Sequence, residues 1–117
     1  MSREIAKLHI RALPHTASSM RGESYLDFLY GVVGVLGFVR TVERDGRIVG
    51  AISGIGNLIL TLVVDPDWQR QGIGRELLNA LPRKLYVYTE DCSCGFYKKM
   101  GFSKFGKIGK TIFLWRK

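Results

Sequence analysis

The segment NLILTLVV, Asn57 to Val64, constrains the fold of this chain more than any other. It is apolar on both faces, as a strand buried on both sides must be, so it belongs in the middle of a sheet. Pro66 cannot donate a ladder hydrogen bond and stops the strand near that point. Polar residues and two glycines follow in DPDWQRQGIG. Then Ile73, Leu77, Leu78 and Leu81 fall on one helical face, and Pro82 limits that helix. The order is a central strand, a glycine loop and a helix.

The flanking segments extend this to a mixed chain. AKLHIRAL alternates weakly and predicts a first strand. TASSMRGESYLDFLYGVVGVLG is helix-like at its centre, with Ser18 or Ser19 as cap and Tyr25, Leu26, Phe28 and Leu29 as its apolar face. Its glycine-punctuated end, GVVGVLG, receives no assignment. In FVRTVERDGRIVGAISG two alternating runs flank Asp45-Gly46, which predicts a β-hairpin because both turn residues must accept positive φ. KLYVYT reads as a strand, CGFYKKMGF as a short helix ended by Gly101, and FSKFGKIGKTIFLWRK as a closing hairpin around Gly106 or Gly109. The expected architecture is one compact α/β domain over residues 1–117. Its mixed, mostly antiparallel sheet has six to seven strands flanked by helices.

Composition narrows the function classes. An apolar fraction of 46% argues for a folded globule. No apolar run has membrane-spanning length and the amino end lacks a signal peptide's apolar core, so a cytoplasmic protein without membrane contact is expected. Cys92 and Cys94 are poorly spaced for a disulfide and too few for a zinc site, which predicts reduced thiols and no metal. His9 and His15 show no ligand partner in the sequence and read as ordinary strand or loop residues. The formal charge of +8 attracts polyanions: nucleic acid, acidic protein or a phosphorylated cofactor.

The glycine loop favours the cofactor. The first turn of a helix offers N–H groups without intrahelical partners. Glycines at Gly72 and Gly74 remove Cβ atoms that would hold a phosphate away. Gln69, Arg70, Gln71 and Arg75 add donors and positive charge, so the loop reads as a diphosphate cradle. It is neither a P-loop nor a dinucleotide fingerprint, since Arg75 follows Gly74 and Leu77 stands where a third glycine would be.

VDPDWQRQGIGRELL resembles the acetyl-CoA-binding segment of the GNAT N-acetyltransferase superfamily, whose pattern Q/R-x-x-G-x-G/A is met by Gln69, Gly72 and Gly74. GFYKKMGF, Gly95 to Phe102, resembles the same family's aromatic-Tyr-x-x-x-Gly-Phe helix, and LYVYT supplies the strand between. The resemblance covers Phe38 to the end, and the first 37 residues are compatible with it. It implies a sheet splayed at the cofactor site and acetyl-CoA as co-substrate. The acetyl group would pass by direct attack to a primary amine, either a small molecule or a peptide. The pyrophosphate would sit on the N–H groups of Gln69, Arg70, Gln71, Gly72, Ile73, Gly74 and Arg75. The strand Leu62, Val63 and Val64 would pair with the pantetheine arm. Tyr97 would touch the cofactor and protonate the departing thiolate.

The chain departs from the family pattern at Glu90 and Ser93, where asparagine and alanine often stand. Glu90 reads either as a proton relay at the reaction centre or as a solvated loop carboxylate. The helix after Gly74 is short, and the amino end is short, so the acceptor pocket is either open or completed by a second subunit in a homodimer. Two other readings remain. A basic nucleic-acid-binding module fits the charge and the aromatics among lysines near Tyr97, but leaves the strand–loop–helix order unexplained, so nucleic acid is not expected. A CoA-binding protein without catalysis keeps the fold, and Tyr97 argues against it.

Overall fold

The computed structural model describes residues 2–13, 17–89, 91–109 and 111–116. Two helices open the chain, α1 (Ser2–Ala12) and the single turn α2 (Ala17–Met20), followed by α3 (Glu23–Leu36). Three strands come next: β1 (Phe38–Arg44), β2 (Arg47–Ile55) and β3 (Leu58–Val64). Then come α4 (Ile73–Asn79), β4 (Leu85–Thr89), α5 (Asp91–Lys99), β5 (Ser103–Ile108) and β6 (Thr111–Arg116). The six strands form one sheet in the order β1-β2-β3-β4-β6-β5, antiparallel at every junction except β3–β4. Asn57 to Val64 therefore supplies an interior strand, as its two apolar faces require.

The amino end differs from its sequence reading. AKLHIRAL is helical, and among the described residues the sheet has six strands, within the six to seven expected. Ile5, Ala6, Leu8 and His9 are buried while Arg3, Lys7 and Arg11 are exposed. This is a helical stripe that a short window mistakes for alternation. Neither Ser18 nor Ser19 caps α3. Gly22, at φ 96, stands at its N-cap with no side-chain hydrogen bond. Leu26, Tyr30 and Val33 form the buried stripe, whereas Phe28 is 70% exposed. The unassigned GVVGVL completes this helix. The Asp45-Gly46 turn follows expectation, with φ of 54° and 77°.

Two cores lie on opposite faces of the sheet. On one face α4 and α5 bury Ile73, Leu77, Leu78 and Tyr97 against Ile52, Ile59, Leu85, Val87 and Leu114. On the other α1 and α3 bury Ile5, Leu8, Leu26 and Tyr30 against Ile48, Ala51 and Val63. The second core contains a chain of polar groups. His9 Nδ1 lies 2.7 Å from the Tyr30 hydroxyl, which donates to Thr61 Oγ1 at 3.0 Å, and Thr61 meets Ser53 across the β2–β3 ladder. Each member has a partner, which removes the penalty for burying it.

Burial lowers the His9 pKa and pushes the Tyr30 hydroxyl up to about 12. The folded chain holds His9 neutral, whereas the unfolded chain takes up a proton below about pH 6.5. The unfolded state then binds more protons, so this contribution is complete above pH 6.5 and is lost as the pH falls. The slope is at most about 1.4 kcal/mol per pH unit. Melting curves from pH 7.5 to 5.5 should show a steeper loss in the parent than in His9→Phe. Parallel curves would mean that His9 does not carry this acid limb.

Candidate functional site: a split sheet beside a glycine loop

The sheet opens where its one parallel junction ends. β3 and β4 pair only at Leu58↔Tyr86 and Ile59↔Val87. A bulge coincides with the separation: Ser53 pairs with Thr61 and Gly54 with Ile59, so Leu60 is the extra residue. Beyond it, Leu62, Val63 and Val64 stay paired with Ile52, Ala51 and Gly50 of β2 but have no ladder partner on the β4 side among the described residues. Their side chains pack into the two cores, and their backbone forms one bank of the gap.

The turn after β3 is tied down. Asp65 is buried, donates its N–H to the Val49 carbonyl at 2.7 Å and accepts the Asp67 N–H at 2.9 Å. Arg11 of α1 bridges Asp65 and Asp67. The Asp-Pro-Asp-Trp stretch is thus structural, a clamp from which the glycine loop departs. Gln69 is exposed, and its side chain turns back to donate to the Val64 carbonyl at 3.3 Å. It fastens the loop to the strand, so in this conformation that donor is already engaged. Arg70, Gln71, Gly72 and Arg75 are exposed, while Ile73 is buried and presents only its backbone. Arg70 and Gly72 both have positive φ, 65° and 81°. An open depression of about 500 Å³ borders the loop, lined by Gly72, Arg75, Glu76, Asn79 and Ala80.

The two glycines have different reasons. Gly72 occupies the α4 N-cap in the left-handed region, and a Cβ there would meet nothing within 4 Å. A Cβ on Gly74 would sit 3.0 Å from the Phe96 ring. Gly74 therefore lets α5 approach α4, a packing role.

α5 carries Tyr97. Phe96 and Met100 flank it, both partly buried against the same core. In the structure Tyr97 is the deepest of the three, 5% exposed, with its ring edge-to-face with Phe96 at 5.3 Å and Phe102 at 5.4 Å. It shares the core with Ile59 and Val87, the last paired residues before the gap. Burial raises its pKa, so the phenol stays protonated. Arg116, which the sequence reading passed over, fixes the end of α5. Its guanidinium donates to the carbonyls of Arg83 and Met100 and lies 4.9 Å above the Phe102 ring. A lone arginine in an apolar carboxyl-terminal strand was the available signal. Glu90 lies outside the described residues, as do His15 and the side chains of Cys92, Ser93 and Cys94. Among the described residues no group of three or more His, Cys, Asp or Glu stands together to hold a metal, and no helix is long and apolar enough to cross a membrane.

The model of an acetyltransferase (GNAT) domain matches residues 32–104. No curated protein sequence matches the chain. Among solved structures, the chain is similar to PH1933 from Pyrococcus horikoshii OT3, with a TM-score of 0.81 at 20% identity, covering 97% of this chain and 88% of that one. It is similar to an aminoglycoside 6'-acetyltransferase type Ii, with a TM-score of 0.78 at 19% identity, covering 99% and 88%. It is also similar to the PaiA N-acetyltransferase of Thermoplasma acidophilum in complex with coenzyme A, with a TM-score of 0.74 at 17% identity, covering 97% and 91%. These structures share the fold, and the domain match spans more than half of the sequence. The chain belongs to the GNAT acetyltransferase family.

Proposed function

We propose that the chain is an acetyl-CoA-dependent N-acetyltransferase that passes its acetyl group to a primary amine by direct attack. The observation that carries this reading is the gap between β3 and β4, with the unpaired edge of Leu62 to Val64 on one bank and the Arg70–Arg75 loop at its end. An extended pantetheine arm can add to that edge as a strand would. The pyrophosphate then meets the N–H groups of the loop and first turn of α4, with Arg70 and Arg75 beside it. The crystallised PaiA enzyme holds coenzyme A, which supports the same co-substrate here.

In the reaction the amine nitrogen forms a bond to the acetyl carbon, the carbon–sulfur bond breaks, and the amine loses a proton to solvent. Tyr97 donates its phenolic proton to the departing thiolate and is reprotonated from solvent. Its raised pKa keeps that proton available throughout the neutral range.

The experiment is thiol release from acetyl-CoA over a panel of primary amines, with the acetylated product identified by mass. Amine-dependent release is expected. Saturable acetyl-CoA binding with no amine acetylated would favour the non-catalytic CoA-binding reading, and absence of binding would remove both.

A further inference from the structure

Among the described residues, half of the sheet is covered on one face only. α1 and α3 pack on β1, β2 and β3, while α5 packs on β4 and β6 from the opposite side. Leu85, Val87, Ile112 and Leu114 point into the α4–α5 core, so the alternate residues of β4 and β6 point the other way. Apart from Thr111, those residues are aromatic. Tyr86 is 36% exposed and Tyr88 42%, and Phe113 and Trp115 are half-buried. Phe105, the extra residue of a bulge in β5, is 57% exposed and leans over the same face. Tyr86 stacks on Trp115 at 6.2 Å and 16°, and Phe105 meets Tyr86 at 6.3 Å and Phe113 at 6.2 Å.

This platform runs into the gap. Tyr86 and Val87 are the last β4 residues paired with β3, so Tyr88 is the first residue beyond the junction, and it stands on the platform's face. Across the gap, on the same face, Thr61 joins the His9–Tyr30 hydrogen-bond chain to Ser53. The acetyl group, on the account above, lies between these banks. From β4 to β5 the platform spans two strand spacings, about 10 Å, enough for one planar ring and a short arm.

We propose that this platform is the acceptor site and that the acceptor is a primary amine on a planar apolar body, an arylalkylamine in chemical class. It rests on the acetyltransferase reading. The ring of the acceptor stacks against Tyr86, Phe105 and Trp115. The arm passes Tyr88, whose ring face attracts the ammonium form as it arrives, and the nitrogen reaches the gap beside Thr61.

The test uses the full chain with coenzyme A bound, 2-phenylethylamine as probe and ethanolamine as its polar counterpart. Calorimetry should show saturable binding of 2-phenylethylamine at least tenfold tighter than ethanolamine. Phe105→Ser, at an exposed position, and Tyr86→Ser should each weaken it at least fivefold, with unchanged coenzyme A affinity and melting temperature. Under turnover the same loss should appear in KM rather than kcat. Equal affinity for the two amines, or no loss in the correctly folded Phe105→Ser variant, would overturn the proposal. So would Phe105→Ser changing only the sedimentation of the chain or only its retention of single-stranded oligonucleotide. Failure of the parent to bind coenzyme A at all would instead count against the acetyltransferase reading.

Discussion

Replacing Tyr97 with Phe is expected to lower kcat at least 10-fold and to leave acetyl-CoA affinity nearly unchanged. The substitution removes one oxygen and keeps the ring, so the edge-to-face contacts with Phe96 and Phe102 persist. On the proposed mechanism the hydroxyl acts on charge that develops only as the carbon–sulfur bond breaks, so its loss should appear in kcat and not in KM. General-acid assistance is worth roughly 10²–10⁴ in rate, and part of it is recovered by water. Burial raises the phenol's pKa. The same dry surroundings also raise the basicity of a departing thiolate, so proton transfer between them stays matched. Stopped thiol release with an accepted amine, followed across pH, checks this. A mutant as fast as the parent would assign the proton to water or another residue.

Replacing Gly72 with Asp is expected to weaken acetyl-CoA binding at least tenfold while the fold survives. Nothing within 4 Å would meet a Cβ at this position, so the cost to the fold is the left-handed backbone alone. That cost is roughly 1 kcal/mol for a residue such as Asp, which tolerates the region better than most. On the proposed function the added carboxylate would face the pyrophosphate with like charge. Gly74→Ala is the informative contrast. Its methyl would press on Phe96 and displace α5, so it should lower kcat through Tyr97 more than it lowers cofactor affinity. Calorimetry with acetyl-CoA for both variants separates a ligand-facing glycine from a packing one. Equal affinity in Gly72→Asp and the parent would remove the cradle from this loop.

The parts of the fold that depend on near neighbours were legible in the sequence. Asp45-Gly46 between alternating runs, the doubly apolar Leu58 to Val64 and the Ile73–Leu77–Leu78 stripe each became the element expected of them. Errors arose where tertiary packing decides. The first twelve residues hold too few apolar positions to separate a period of 2 from 3.6, and burial against α3 settles the matter. Gly31 and Gly34 left this stretch unassigned, yet α3 runs through both because Leu26, Tyr30 and Val33 anchor its inner face. At the site, the motifs located the loop and Tyr97. The motifs could not distinguish the duties of Gly72 and Gly74, because Phe96 lies 22 residues from Gly74. Nor could they show that Tyr86, Tyr88, Phe105, Phe113 and Trp115 share one uncovered face, which is a property of strand order and register.

The most direct measurement is a calorimetric titration of acetyl-CoA into the parent chain. The account predicts saturable binding at one site per chain, accompanied by a rise in melting temperature as the bound state is populated. No heat and no melting shift at millimolar acetyl-CoA, with the chain folded, would contradict it.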